Sequence, residues 1–247
     1  MAQLSFYDCN ARLGRSQRPR PTESTTKQGL LREMDRCGIA RALVHHAESV
    51  QFSPSLGNAR LVEEVADEDR LTPCWVALPS HTGEQPLPDV AEMLAAGVRA
   101  VRLTPVTHRY VLNEVTSAKL LGTLASRRLP VLLSMDESSW AEVDGILSRH
   151  PTLPLIVLDV GYRCDRNLYP LLEKHAGLRV ETATYGVHRG IEEVCGRFGP
   201  ERLVFGTGMP GRDPGGAMAA ITYAEVGDRA KQMMAGGNLE ALLEGAS

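Results

Sequence analysis

The chain is short of several features that would assign it at once. Its 247 residues hold only five cysteines, Cys9, Cys37, Cys74, Cys164 and Cys195, and no two form a CxxC pair. An odd, unpatterned set argues against a disulfide framework or a zinc knuckle and suits a reducing cytosol. Net charge is small: 27 basic against 30 acidic side chains leave −3. No bulk pull toward nucleic acid or anionic lipid is expected. The basic run RSQRPRP, Arg15 to Pro21, has no aromatic neighbours and reads as a solvated loop. No apolar run approaches the ~20 residues that span a bilayer. The opening MAQLSFYDCN has no charged region followed by a long apolar core, so no signal peptide is expected. No GxGxxG follows the first strand pattern, no GxSxG elbow occurs, and no linker or low-complexity tract divides the chain. A single domain over residues 1–247 is the expectation.

What is present is one rhythm, repeated from end to end. A short apolar run rich in β-formers ends in a polar cluster, and a helical pattern follows. The strand patterns begin at Leu4 (LSFYDC), Ala40 (ARALVHH), Thr72 (TPCWVAL), Gly97 (GVRAVRLT), Leu129 (LPVLLSM), Leu153 (LPLIVLD), Leu178 (LRVETA) and Arg202 (RLVFGT). Between them, TKQGLLREMDRCG sets Leu30, Leu31, Met34 and Cys37 on one helical face, with Gly38 as a stop. NARLVEEVADEDR repeats the pattern, and SSWAEVDGILSRHP starts with serine caps and stops at Pro151. Strands alternating with helices pair in parallel through right-handed crossovers. Nearly continuous apolar strands such as LPLIVL fit a sheet covered on both faces. Eight such units in a chain with 43% hydrophobic residues match a closed α/β barrel, a (β/α)8 TIM-type fold with extra C-terminal helices. An open doubly wound sheet is the alternative.

Barrel active sites sit at the C-terminal ends of the strands. The polar residues there are Asn10 and Arg12, His45 and His46, His81, Arg102 and Thr104, Ser134, Asp136 and Glu137, Asp159 and Arg163, Glu181 with Thr184 and Tyr185, and Thr207. Arginine forks at a mouth suit carboxylate or phosphate. Only one of His45 and His46 can face inward, because neighbours on a strand alternate. Glu181 sits inside a strand pattern and needs a partner if it faces inward, Arg102 or Arg12 being at hand. By the same alternation Cys9, next to Asn10, is expected to point away from the interior. His81, His108 and His188 lie on loops and read as solvated.

The C-terminal run RFGPERLVFGTGMP, followed by DRAKQMMAGGNLEALL, resembles the amidohydrolase-related branch of the TIM-barrel metal-dependent hydrolases. Phe198, Gly199, Pro200, Arg202, Leu203, Gly206, Thr207, Pro210 and Asn238 carry the match. GVRAVRLTP, LPLIVLDVGY and YDCNARLG resemble the fourth, sixth and first strands of that family. The resemblance implies hydrolase, lactonase or decarboxylase chemistry on a small carboxylated molecule, and it is compatible with a homodimer. The family's metal ligands are not matched. Asn10 and Arg12 stand for His-x-His, Ser134 for the strand-five histidine, Asp159 for the strand-six histidine and Gly208 for the strand-eight aspartate. A catalytic divalent metal needs three or more N, O or S ligands, and a permanent guanidinium repels it. No metal centre and no cofactor are therefore expected.

Two readings follow. In the first, a metal-independent enzyme uses Asp159, Glu181 and His46 to move protons, while Asn10, Arg12, Arg102, Ser134, Arg163 and Tyr185 hold a small anionic substrate. In the second, a non-catalytic barrel keeps the fold to bind a small anion or a protein, and Arg12 pairs with Asp159 in the space a metal would fill. Both place the protein in the cytoplasm with neither a nucleic-acid nor a membrane partner.

Overall fold

The computed structural model describes residues 4–17, 19–21, 23–79 and 90–246. Eight strands are present: β1 (Phe6–Leu13), β2 (Ile39–His46), β3 (Leu71–Val76), β4 (Ala100–Leu103), β5 (Val131–Ser134), β6 (Leu155–Leu158), β7 (Leu178–Glu181) and β8 (Leu203–Val204). Each strand pairs in parallel with the next, in chain order. The ring closes where the segment after β8 meets β1. The Cys9 N–H donates to the Phe205 carbonyl at 2.9 Å, the Gly208 N–H to Asn10 at 2.9 Å and the Arg12 N–H to Met209 at 2.9 Å. All eight strands expected from the sequence form, in a (β/α)8 TIM barrel.

Side chains sort by alternation along each strand. Leu43, Ala100, Leu132, Ile156, Leu158 and Val204 pack together inside the barrel. Their neighbours Val44, Val101, Val131, Leu133, Val157 and Leu203 belong to the larger core between strands and helices. The β1–β2 register shifts twice, between Phe6 and Tyr7 and again between Asp8 and Ala11. Asp8 pairs with Ala42 and Ala11 with Val44, three steps on β1 against two on β2, so the strand carries a bulge. Tyr7 and Cys9 consequently join the interior cluster, and Asn10 and Arg12 still line the mouth beyond them. The expectation that Cys9 points outward is corrected: the extra residue lets Cys9 and Asn10 share one side.

Local signals start and stop the helices. Thr26 caps the helix Lys27–Cys37, which Gly38 ends in the left-handed region at φ 75°. Ser139 and Glu142 form a capping box on the helix Trp140–Arg149. Helices Val90–Ala95, Glu114–Ser126, Asp165–Lys174 and Gly215–Thr222 were not singled out by sequence periodicity. The helix Asn238–Glu244 closes the other end of the barrel, with Leu239 and Leu243 packed against the interior cluster. It is preceded by a π-helical turn, Met233–Gly237. A Cβ on Gly236 would lie 2.7 Å from the Ser5 carbonyl, so only glycine lets this turn reach the start of β1.

Asn238 anchors that helix. Its amide nitrogen donates to the carbonyls of Pro200 and Leu203, each at 2.8 Å. Truncation leaves buried carbonyls without a donor, at about 1–3 kcal/mol. Asn238→Ala is expected to lower the urea unfolding free energy by about 2 kcal/mol. Asn238→Asp, the same shape without the donors, should do at least as much damage. A tolerated aspartate would show that the two hydrogen bonds are not what holds the helix.

Candidate active site

The C-terminal ends of the strands surround a cavity of about 350 Å³. Its wall includes Asn10 and Arg12 from β1, His45 from β2, Arg102 from β4 and Asp159 after β6. The loop after β8 supplies Gly208, Met209, Gly211 and Arg212, and the loop after β1 supplies Arg20. Four guanidinium groups thus share one small space.

Below this cavity Asn10 works in two directions. Its side-chain oxygen accepts from Arg102 Nη1 at 2.9 Å, and its amide nitrogen donates to Glu181 Oε1 at 2.9 Å. The partners therefore orient the amide. Glu181 is fully buried. Burial pushes its carboxyl up to about 7; the Asn10 hydrogen bond opposes that shift, while the charges of Asp159 and Asp8 add to it. Gly206 makes room for it, since a Cβ there would lie 2.5 Å from Glu181 Cγ and Oε1. The partner expected for Glu181 was an arginine. The structure supplies Asn10, and Arg102 reaches the carboxyl only through that amide.

Asp159 sits in the left-handed region, at φ 59°. Ser134 Oγ donates to its Oδ2 at 2.8 Å, and Arg212 Nη1 lies 2.6 Å from its Oδ1. Arg12 instead pairs with Glu23 of the β1 loop, through Nη2. The expected Arg12–Asp159 pair is corrected, because each has found a different partner on a loop. Arg12 Nη1 is buried with no hydrogen-bond partner among the described residues. Gly208 has φ 73°, and a Cβ there would lie 3.2 Å from Arg212 Cδ. The arginine thus crowds the position that resembles the family's strand-eight aspartate.

The alternation of β2 decides between the two histidines. Leu43 faces inward and His45 shares its side, in the cavity wall. Burial, then the neighbouring charges of Arg102 and Arg12, push His45 well below the ordinary imidazole value, so it is neutral near pH 7. His46 faces the other way. Its Nδ1 accepts the Glu48 N–H at 3.2 Å as a helix cap, and its Nε2 lies 3.8 Å from Glu64. The role expected for His46 at the mouth meets this geometry: its ring props the helix layer instead.

Of the nine residues expected at the site, Asn10, Arg12, Arg102, Ser134, Asp159 and Glu181 come together. His46, Arg163 and Tyr185 do not. Arg163 lies over the exposed Tyr162 ring at 5.1 Å. Tyr185 is buried against the helices, its hydroxyl 3.3 Å from that of Tyr169 and 3.4 Å from the Gly190 carbonyl. His81 lies outside the described residues. Sequence reasoning missed Arg20, Glu23 and Arg212, which arrive on loops with no periodic signal. It also missed Asp8, whose signal was a carboxylate inside an apolar strand pattern.

The donor set does not fit a divalent metal of the kind the resemblance implies. Among the described residues no group of three or more His, Cys, Asp or Glu side chains is placed to hold one. Asp159 already holds Arg212, and guanidinium groups from Arg12 and Arg102 line the same cavity. The positive charge at the mouth is supplied by the chain itself.

Asp8 and Glu181 give the fold a pH signature. Asp8 is fully buried and pushed up to about 6 by that burial, against hydrogen bonds from Thr207 and the Asn10 N–H. Both carboxyls keep a proton in the folded state at pH values where the unfolded chain has released it. Stability from these groups is therefore complete below about pH 4 and is lost as pH rises through 6 and 7. Thermal melts at constant ionic strength should show Tm falling between pH 5 and pH 7.5. Glu181→Gln, which cannot titrate, should flatten the upper part of that fall. An unchanged slope would place the titrating group elsewhere.

Comparison with other proteins bears on the fold and the family. No curated protein matches the chain by sequence. Among solved structures, an uncharacterised TIM-barrel protein from Bordetella bronchiseptica superposes with a TM-score of 0.78 at 16% identity, over 98% of this chain and 99% of that one. The 5-carboxyvanillate decarboxylase of Sphingomonas paucimobilis gives 0.76 at 15% identity, over 98% and 99%. A probable 2-pyrone-4,6-dicarboxylic acid hydrolase from Acinetobacter baumannii, with citric acid bound, gives 0.69 at 14% identity, over 98% and 100%. At these identities the likeness is one of fold. The sequence profile of the family described as Amidohydrolase matches residues 22–244, nearly the whole chain. The protein belongs to the amidohydrolase family, with an asparagine, an arginine, a serine, an aspartate and a glycine in places where the family resemblance implies metal ligands and a base.

Proposed function

We propose that the protein acts on a small carboxylated molecule by acid–base chemistry, without a divalent metal, and that hydrolysis is the reaction. The observation that carries this reading is the convergence of Arg12, Arg20, Arg102 and Arg212 on one cavity beside a neutral imidazole. Guanidinium groups recognise carboxylates through paired, charge-assisted hydrogen bonds. Arg102 and the unpartnered Nη1 of Arg12 are the donors for the substrate's carboxylate. His45 takes the proton of the attacking water, and Arg212, beside Asp159, faces the oxygen that gains charge. Glu181, protonated near neutral pH below Asn10, is the proton reserve. Asp159 and Ser134 hold Arg212 and the mouth's shape. Two of the similar structures carry names of enzymes acting on carboxylated molecules, which agrees with this substrate class.

The setting we infer is the cytoplasm. All five cysteines are free, and Cys9, Cys74 and Cys164 are buried. No helix among the described residues is long and apolar enough to cross a membrane.

A second reading, an anion-binding barrel without turnover, draws on the two ion pairs already at the mouth, Arg12–Glu23 and Arg212–Asp159. These partly satisfy the arginines from within. Both readings require anion binding and part at the chemistry.

The first test is calorimetric titration of aliphatic and aromatic monocarboxylates in low-salt buffer. The wild type should bind a subset of them, and Arg102→Gln should weaken that binding about tenfold or more. Wild-type protein that binds no acid would sink the proposal. For the best-bound acids, derivatives that keep the free carboxylate and carry an ester or amide elsewhere on the molecule should then be hydrolysed. His45→Gln should reduce the rate by about a hundredfold while leaving affinity within a few-fold. Binding without turnover of any such derivative would favour the second reading.

A further inference from the structure

A second cavity, of about 380 Å³, adjoins the mouth. Its wall is made by the loop after β1 (Arg20, Ser24), the helix Lys27–Cys37 (Glu33, Arg36) and the loop from Met209 to Pro214. Arg20, Met209, Gly211 and Arg212 line both cavities, so the two chambers share a wall at the neck. Each is near the lower end of the ~300–1,000 Å³ range of ligand sites, and a single small acid would fill only one of them.

Charge is graded along this path. The inner chamber has four arginines and one lining carboxylate, Asp159. The outer chamber has Arg20, Arg36 and Arg212 against Glu33 and Asp213. Most of the outer groups are already engaged. Arg36 holds Glu33 through Nε at 2.9 Å and Nη2 at 2.8 Å. Asp213 accepts the Gly215 N–H at 2.8 Å, and Arg212 holds Asp159. Arg20 is different. Its backbone N–H donates to Glu23, while its guanidinium has no hydrogen-bond or ion-pair partner among the described residues. It stands at the junction of the two chambers with its charge uncommitted.

We propose that the outer chamber is a second anion subsite, and that the molecule taken up is an elongated diacid. One acid group lies inside on Arg12 and Arg102, and the other meets Arg20 at the neck. This rests on the reading of the mouth as a carboxylate site. It adds the substrate's length, its second charge and the residue that selects them. Glu33 and Asp213 bias the far wall against a third negative group, so the outer end of the ligand is the acid at Arg20 and not a polyanionic tail.

The test is calorimetric titration of the wild type and Arg20→Gln, in low-salt buffer, with linear diacids from succinate to sebacate. At the length that binds best, the monomethyl ester and the ω-amino acid of the same length are compared with the diacid. The diacid should bind about fivefold or more tighter than its ester, as expected for one added ion pair at a partly exposed site. The ω-amino acid should bind more weakly than either. Arg20→Gln should bring the ratio of diacid to ester affinity close to one. A wild-type ratio near one, a ratio unaffected by Arg20→Gln, or tightest binding of the amino acid would overturn the second subsite. If in those cases the ester still binds and still depends on Arg102, the reading of the inner mouth stands without the outer one. If neither diacid nor ester binds, both fall.

Discussion

The mouth depends on how the barrel is closed. β8 is only two residues long, so the ladder that should join the last strand to the first is brief. The seam is completed by Asp8. Its Oδ1 accepts the N–H groups of Asn10 and Thr207, each at 2.9 Å, and its Oδ2 accepts the Thr207 hydroxyl. Thr207 Oγ1 in turn accepts the Met209 N–H at 2.9 Å. One buried carboxyl therefore ties the bulge in β1 to the turn after β8. A buried carboxyl is tolerated only with such a set of donors. The bulge aims Asn10 and Arg12 into the mouth, and the turn delivers Gly206, Gly208 and, four residues on, Arg212.

From that seam the electrostatics of the mouth follow. The mouth draws its positive charge from fixed guanidinium groups. Their repulsion is relieved in two ways. Glu23 and Asp159 each take one arginine, and Asn10 stands between Arg102 and Glu181. The intervening amide keeps Glu181 from forming a direct ion pair, which leaves burial in control of its protonation. His45 is driven the other way by burial and the same positive neighbours. Two titratable groups near one cavity are thus pushed apart, the carboxyl holding its proton and the imidazole lacking one.

Much of the fold was legible because it rests on local, periodic signals. LPLIVL fits a strand covered on both faces, Gly38 could end a helix, and the serines before Trp140 could start one. The inward set on β4 to β7 follows from alternation once the strands are placed, and Arg102, Ser134 and Glu181 stand out as polar residues near strand ends. The helix Asp165–Lys174 escaped because Pro170 lies within it, and Glu114–Ser126 because its polar and apolar faces differ little. The motif that carried the family resemblance was also read correctly in outline, with Asn238 serving to dock the final helix.

By itself the sequence determined the barrel and the place of the mouth, since these depend on residue identity and short-range pattern, and the family resemblance implied which ligand positions are replaced. Only the tertiary structure decided which groups meet there. A one-residue bulge put Cys9 inside, strand register turned His45 in and His46 out, and two loops brought Arg20, Glu23 and Arg212 to the cavity. Such outcomes depend on register and on contacts between residues far apart in the chain, 199 positions in the case of Asp8 and Thr207. Local propensity carries no information about either.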